Sequence, residues 1–311
     1  KSKKDSVNIP KRAIAAYAAD KFAIVRPLTI EFTHSSPYNF TSDRGNISLP
    51  QSTVNQFEQA KISANFNFIK RKTWLLGTTL SYRYTSAEAD MMDPFTNEIK
   101  AVDNQFHYFS SSVNFSYFST LFKKRTIYSS SIIFDGSDQH FERVIGLLTG
   151  VIVLKANQKT KMTAGLLVNI DPSALTPVIP IITYEHKFNN GLIADITLPK
   201  SIYLRKYVFN AGRVSLGSEL DRTSFYLYNI DGTSQRYEYR QLDIYSGLKY
   251  EHAIGNFIIT GKTGMKLTPS GNLFRKEDSF KDAVYEIKPD PTFYFNLGVS
   301  FNPFTLLGKK K

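Results

Sequence analysis

Ala60-Lys-Ile-Ser-Ala-Asn-Phe-Asn-Phe-Ile-Lys-Arg-Lys-Thr-Trp-Leu-Leu-Gly-Thr-Thr-Leu-Ser-Tyr-Arg-Tyr-Thr85 alternates apolar and polar residues along two strand-length arms that meet at the basic turn Lys70 to Lys72. Successive side chains of a strand point to opposite faces, so Ala60, Ile62, Ala64, Phe66 and Phe68 share one side and Lys61, Ser63, Asn65 and Asn67 the other. In the second arm Trp74, Leu76, Leu80, Tyr82 and Tyr84 oppose Thr73, Gly77, Thr79, Ser81 and Arg83. Each arm holds about ten alternating residues, which at roughly 3.3 Å each and a tilt near 45° reach across the ~25 Å apolar band of an outer-membrane barrel. The hairpin therefore has one face for hydrocarbon and one for water.

Composition points the same way. Among 311 residues, 24 Phe and 18 Tyr accompany a mean hydropathy of -0.25, a balance suited to a barrel wall rather than a helix bundle. The longest nearly apolar run, Val144 to Leu154, falls well short of the ~20 residues a membrane helix requires. The absence of cysteine excludes disulfides and thiolate metal sites. An excess of 39 Lys and Arg over 27 Asp and Glu gives +12, but the cations sit at tails and turns, among them Lys70 to Lys72, Lys123 to Arg125 and Lys309 to Lys311. Such scatter does not build a nucleic-acid groove. Lys1-Ser2-Lys3-Lys4 is not followed by an apolar signal core, and we read an exported chain whose signal peptide has been removed.

From Leu28 onward the patterning predicts about fourteen strands, an even number as an antiparallel up-and-down barrel requires. They fall near 28–38, 60–69, 73–85, 106–118, 126–134, 144–155, 161–170, 178–188, 192–198, 213–220, 223–229, 237–250, 257–267 and 292–301. One hairpin fewer gives about twelve and one more about sixteen. Short joints at 70–72, 121–124, 157–159, 189–191, 221–222 and 253–256 alternate with longer ones at 41–59, 86–105, 135–143, 171–177, 199–212, 230–236 and 268–291. Periplasmic turns and extracellular loops alternate in this way. Both termini then lie in the periplasm: residues 1–25 form a basic N-terminal segment with a short helix after Pro10, 26–304 the barrel, and 305–311 a basic tail.

Aromatic residues near strand ends, including Tyr38, Phe40, Phe68, Trp74, Tyr84, Phe106, Tyr117, Phe134, Tyr184, Phe188, Tyr250 and Phe293, fit interfacial girdles. Strand parity sends charge of both signs inward: Lys61, Arg83, Lys187, Arg213, Lys249, Lys262 and Lys266 against Glu31, Glu185, Asp195, Glu219 and Asp243. Facing lipid, such charges would cost kilocalories each, which supports the phase of the assignment. An internal ionic network that stiffens and fills the wall is favoured over a weakly anion-selecting pore.

No catalytic, cofactor or metal site emerges. The five histidines lie on separate segments without a zinc-binding spacing. His34, His107 and His186 fall on the outward face near strand ends, and His140 alone has acidic neighbours in its loop. Phosphate loops, dinucleotide fingerprints and calcium loops are absent. The connection 199–212 concentrates Ile202, Tyr203, Leu204, Tyr207, Val208 and Phe209, and the loop before the closing strand adds Leu273, Phe274, Phe280 and Tyr285. Loops with that much apolar area fold into the barrel mouth or meet a partner.

The opening Tyr17-Ala-Ala-Asp-Lys-Phe-Ala-Ile-Val-Arg-Pro27, the turn Phe68-Ile-Lys-Arg-Lys-Thr-Trp74 and the ending Phe293-Tyr-Phe-Asn-Leu-Gly-Val-Ser-Phe-Asn-Pro-Phe304 resemble a family of uncharacterised Bacteroidota outer-membrane β-barrel proteins. The resemblance implies location and architecture, and no functional residue is carried over from it. The expectation is an integral outer-membrane barrel without enzymatic activity, surrounded by outer-membrane lipid and lipopolysaccharide. It would serve as a structural or accessory subunit docking on other outer-membrane or periplasmic proteins through the 202–209 loop. A narrow channel for small solutes is the alternative, and a barrel hydrolase the more remote one.

Overall fold

The computed structural model describes Ala19, Lys21 and residues 25–311, apart from 94, 97, 175, 231, 233, 304–306 and 308–311. Fourteen antiparallel staves close into a barrel. They are β1 (Leu28–Ser35 continued by Tyr38–Arg44), β2 (Ser52–Lys70), β3 (Trp74–Met92), β4 (Ile99–Leu121), β5 (Lys124–Gly136), β6 (Phe141–Ala156) and β7 (Thr160–Ile170). The ring continues through β8 (Val178–Lys187), β9 (Leu192–Leu198), β10 (Ser201–Val208), β11 (Gly212–Tyr228), β12 (Arg236–Ile254), β13 (Phe257–Arg275) and β14 (Ala283–Pro289 continued by Thr292–Phe301). Pairing of Leu28 with Phe301 through Ser35 with Tyr294 joins the last stave to the first and leaves no open edge. A two-residue rung, Ile47–Ser48, folds back on the upper end of β1.

The outward faces are apolar and bare: Phe66 on β2, Leu216 on β11 and Leu297 on β14 are 54, 60 and 59% exposed. A continuous face of this kind is stable against hydrocarbon, and closure satisfies the backbone groups that hydrocarbon leaves unpaired. The inward faces are polar, with Thr29, Thr33, Ser215, Thr260, Asn296 and Ser300 all buried.

The structure has the expected fourteen strands but draws two of the connections differently. Residues 212–228 are one continuous stave with no turn at Asp221-Arg222, and the supposed loop 199–212 contains stave β10. Adjacent charges at 221–222 resemble a turn, yet Asp221 is held inside by Lys61 and Arg83. The 202–209 partner-binding loop is therefore corrected. Ile202 and Leu204 face outward with Tyr203 buried between them, Tyr207 and Val208 end the stave, and Phe209 opens the turn that follows. Several staves also run well past their expected ends, so most of 52–59 and 86–105 is strand rather than loop.

Tyr38, Phe40 and Phe106 leave the girdle: the first two are buried inside, and the third stacks across the lumen. Proline causes the first two changes. Pro37 and Pro291 interrupt β1 and β14, and on the neighbouring β13 Pro269 sits with Thr268 in a bulge opposite Asp243, since a residue without N–H cannot serve the ladder. Ser36 N donates instead to Phe293 O (2.9 Å) and Asp290 N to Asn39 O (2.8 Å). Each break shifts the alternation by one: Ser35 and then Tyr38 face inward on β1, and Lys266 and then Leu273 on β13. Bulges of this kind re-aim side chains.

The wall is also indented. β4 and β11 stand seven staves apart in the ring of fourteen, yet Phe106 and Phe225 stack with centroids 4.0 Å apart and 14° between planes. Outside the dent lies an apolar groove of about 540 Å³ lined by Ile62, Leu80, Tyr82, Phe109, Phe134 and Phe141. Opposite it, Gly217, Gly247 and Gly264 form a row across β11 to β13. A Cβ there would stand 2.0 to 2.1 Å from a carbonyl oxygen of the adjacent stave, so only glycine permits the close approach.

Candidate functional site

Inward parity brings most of the predicted lumen charges to partners, in tiers. At the turn end, Glu251 accepts from Arg26 at Oε1 (2.9 Å) and from Nε and Nη2 of Arg213 at Oε2 (2.8 and 2.6 Å), with Lys249 at 3.8 Å. Asp195 is clasped by Lys21 (2.7 Å) and Arg205 (2.6 Å). Below these, Ala253, Ile258 and Leu307 form a small apolar floor. Ala19 and Lys21 are helical, and the rest of the expected N-terminal helix and of the C-terminal tail, Leu307 excepted, lies outside the described residues.

In the middle tier Lys262 bridges Glu219 (2.7 Å) and Glu31 (3.3 Å), and Tyr203 also donates to Glu219 (2.9 Å). Lys61 and Arg83 share Asp221. Glu185 pairs with Lys161 (2.9 Å), and Lys187 sits exposed at the end of β8. Above them Asp243 accepts from Gln241 (2.5 Å) and Thr268 (2.6 Å). The ammonium of Lys266 lies over the rings of Phe57 (4.5 Å) and Tyr38 (4.9 Å), where cation–π attraction replaces a counter-ion.

The upper tier was not legible beforehand. Asp135 accepts from Tyr108 (2.8 Å) and Tyr226 (3.0 Å); Glu238 takes Arg143 (2.8 Å) and Arg240 (2.9 Å); Glu142 takes Tyr228 (2.8 Å), Lys276 (3.1 Å) and Arg236 (3.4 Å). All three carboxylates are essentially shielded from water. Asp135, Glu142, Arg143 and Arg236 stand on strand extensions where the patterning predicts loops, whereas Tyr108, Tyr226, Tyr228, Glu238 and Arg240 lie within expected strands. Arg26, Glu251, Arg205 and Asp221 were missed lower down; Glu251 had a signal, since it shares the parity of Lys249 two residues away.

These contacts place β11 as a strut across the lumen. Ascending it, Asp221 meets Lys61 of β2, the Arg222 carbonyl accepts from Arg83 of β3 (2.5 Å), and Thr223 accepts from Gln59 of β2 (3.3 Å). Phe225 then stacks on Phe106 of β4, Tyr226 donates to Asp135 of β5, and Tyr228 donates to Glu142 of β6. The upper ends of β11 to β13 are consequently buried on both faces. One face packs Phe225, Tyr237, Tyr239 and Leu273 against Tyr285. On the other, Arg240 binds the Ser173 carbonyl (2.7 Å) and lies over Phe274 and Phe280. The apolar residues before the closing stave have folded into the mouth, the first of the two outcomes expected for them.

The histidines each take a different neighbour. His34 pairs with Glu58 (3.0 Å), His107 with the Tyr82 hydroxyl (2.9 Å) and His186 with Thr160 (2.9 Å), all on the outward side. His140 meets Tyr228 edge-on at 5.4 Å, while two of the acids near it in sequence are taken by tyrosine hydroxyls, Asp135 by Tyr226 and Glu142 by Tyr228. Beside it a cleft of about 360 Å³ opens at the mouth, lined by Asn104, Gln105, Gln139, Asp138, Phe106 and Tyr228.

No family model and no curated protein matches the chain. Among solved structures it is similar to the transport unit of the autotransporter AIDA-I from Escherichia coli, with 9% identity over 89% of this chain and 90% of that one and a TM-score of 0.32. It is also similar to the beta domain of the Bordetella autotransporter BrkA, with 11% identity, 89% and 99% coverage and a TM-score of 0.27. A third is Pseudomonas aeruginosa OccK7 (OpdD), with 9% identity, 88% and 98% coverage and a TM-score of 0.27.

Proposed function

We propose that this chain is an integral barrel of the bacterial outer membrane, without enzymatic activity, whose lumen is closed by its own side chains and which acts as a structural or accessory subunit. The observation that carries the closed state is the strut, in which one stave is bonded to five side chains of the facing wall, Lys61, Arg83, Gln59, Asp135 and Glu142, over a single ascent. The membrane reading is supported by the closed sheet with its bare apolar exterior, since each unpaired backbone group in hydrocarbon costs several kcal/mol. Phospholipid and lipopolysaccharide are then its surroundings, and the short-turn end with both termini faces the periplasm. Phe95 and Ile99, 93 and 66% exposed at the tip of the β3–β4 hairpin, are the side chains best placed for a protein partner.

Planar-bilayer recording tests the closed state. The folded chain is expected to give no steady conductance steps, and reproducible openings in the wild type refute it. One observation favours the channel alternative: Ser129, Ser131, Thr149, Thr163 and Thr183, inward on β5 to β8, are only half-buried. Openings whose ion selectivity inverts on reversing Glu185 would establish that path.

A further inference from the structure

The hairpin turns at the floor of the barrel carry charge of one sign. The segments 70–74, 121–126, 154–161, 186–192 and 205–212 contain many lysines and arginines and not one Asp or Glu. Lys70, Arg71, Lys72, Lys123, Lys124 and Lys159 are all exposed there. These turns are consecutive, so the cations form an arc beneath β2 to β11, whereas the β12–β13 turn, Gly255-Asn256, is uncharged. Adjacent turns lie two strand spacings apart, about 10 Å, close to the screening length at physiological salt, so each turn acts on its own neighbour in the membrane surface.

A second observation is independent of charge. Phe122 and Phe209, at the tips of two of these turns, have φ of 50° and 54°. Bulky side chains adopt that left-handed region reluctantly, and Asn or Gly is the usual occupant of such hairpin tips. Neither ring packs on the protein, since they are 82 and 83% exposed. Strained residues that gain nothing inside the fold mark a function outside it. Exposed aromatics beside Lys and Arg, with Phe68, Trp74, Tyr117 and Phe188 around the same edge, are the chemistry of the membrane–water interface.

We infer that this arc binds the head groups of anionic phospholipids in the leaflet at the turn end, with Phe122 and Phe209 seated at the acyl boundary and the adjacent lysines on the phosphates. The inference rests on the membrane-spanning reading. It is tested with the full chain folded into phosphatidylcholine vesicles containing spin-labelled phosphatidylglycerol or spin-labelled phosphatidylcholine, at low and high salt. The wild type is expected to prefer phosphatidylglycerol about threefold or more at low salt and to lose the preference at high salt. The variant Lys70→Gln, Arg71→Gln, Lys72→Gln, Lys123→Gln, Lys124→Gln should lose it at both, and Lys100→Gln with Lys281→Gln, at the opposite end, should keep it. Phe122→Asn suits the turn better, so it should hold or raise resistance to unfolding while weakening lipid retention; a stability gain with unchanged retention overturns the role of the ring. Equal association of the two lipids with the wild type, or an unchanged preference in the five-site variant, overturns the inference and leaves the arc to an acidic protein. Failure of the chain to enter vesicles overturns the membrane reading itself.

Discussion

Replacing Lys262 by Met tests whether the lumen is packed or wet. The ammonium lies 2.7 Å from Glu219 and 3.3 Å from Glu31, and the three side chains are 13, 17 and 22% exposed. Removing one partner of a fully buried ion pair costs about 3–5 kcal/mol, because the remaining charge stays desolvated and unpaired. Here two carboxylates are left facing each other, which raises the cost, while their residual exposure lowers it. The expectation is a loss of about 2–4 kcal/mol. Urea unfolding of the chain in vesicles reads it, with Trp74, the single tryptophan, as the fluorophore at the edge of β3. Glu219→Gln in the same background should cost less than the two losses added, with a coupling of about 1–3 kcal/mol. A loss below about 0.5 kcal/mol would mean that water solvates the triad as it does a surface pair, and the argument for a filled lumen would fall.

Three further outcomes are expected. Phe106→Ala combined with Phe225→Ala removes the 4.0 Å stack across the lumen and should produce conductance steps absent from the wild type; a folded double variant that stays silent would show that the strut is not the barrier. Leu80→Arg places a cation on the outward face of β3 and should cost about 2–4 kcal/mol near the bilayer midplane, whereas a neutral effect would mean that this face meets water. At the β3–β4 loop, the Asp93 carboxylate accepts from the Phe95 (2.8 Å) and Thr96 (3.0 Å) amides, and those bonds hold its pKa below the ordinary 3.8. A depressed carboxylate stabilises the loop above 3.8 and loses that contribution as pH falls through its lowered pKa, so the two amide resonances should titrate with a midpoint below 3.8.

The local rhythm of residues determined the class of this protein and much of its wall. Alternation in Ala60 to Thr85 is a property of neighbours along the chain, and it assigned the faces of Ile62, Lys61, Leu80 and Arg83 as the structure has them. The inward placement of Lys262 and Glu219 was legible for the same reason, since each follows from parity alone, while their pairing comes from the structure. Parity fails where proline shifts it, and Tyr38 and Phe40 turned inward because Pro37 broke the ladder beneath them. Asp221-Arg222 carried the chemistry of a turn, and only Lys61 and Arg83, brought in from the facing wall by closure of the ring, explain why the stave continues. The strut itself had no signal in the chain. It arises because a dented wall brings β4 and β11 into contact from opposite sides, and contact between residues so far apart in the ring is decided by curvature, which no run of neighbouring residues encodes.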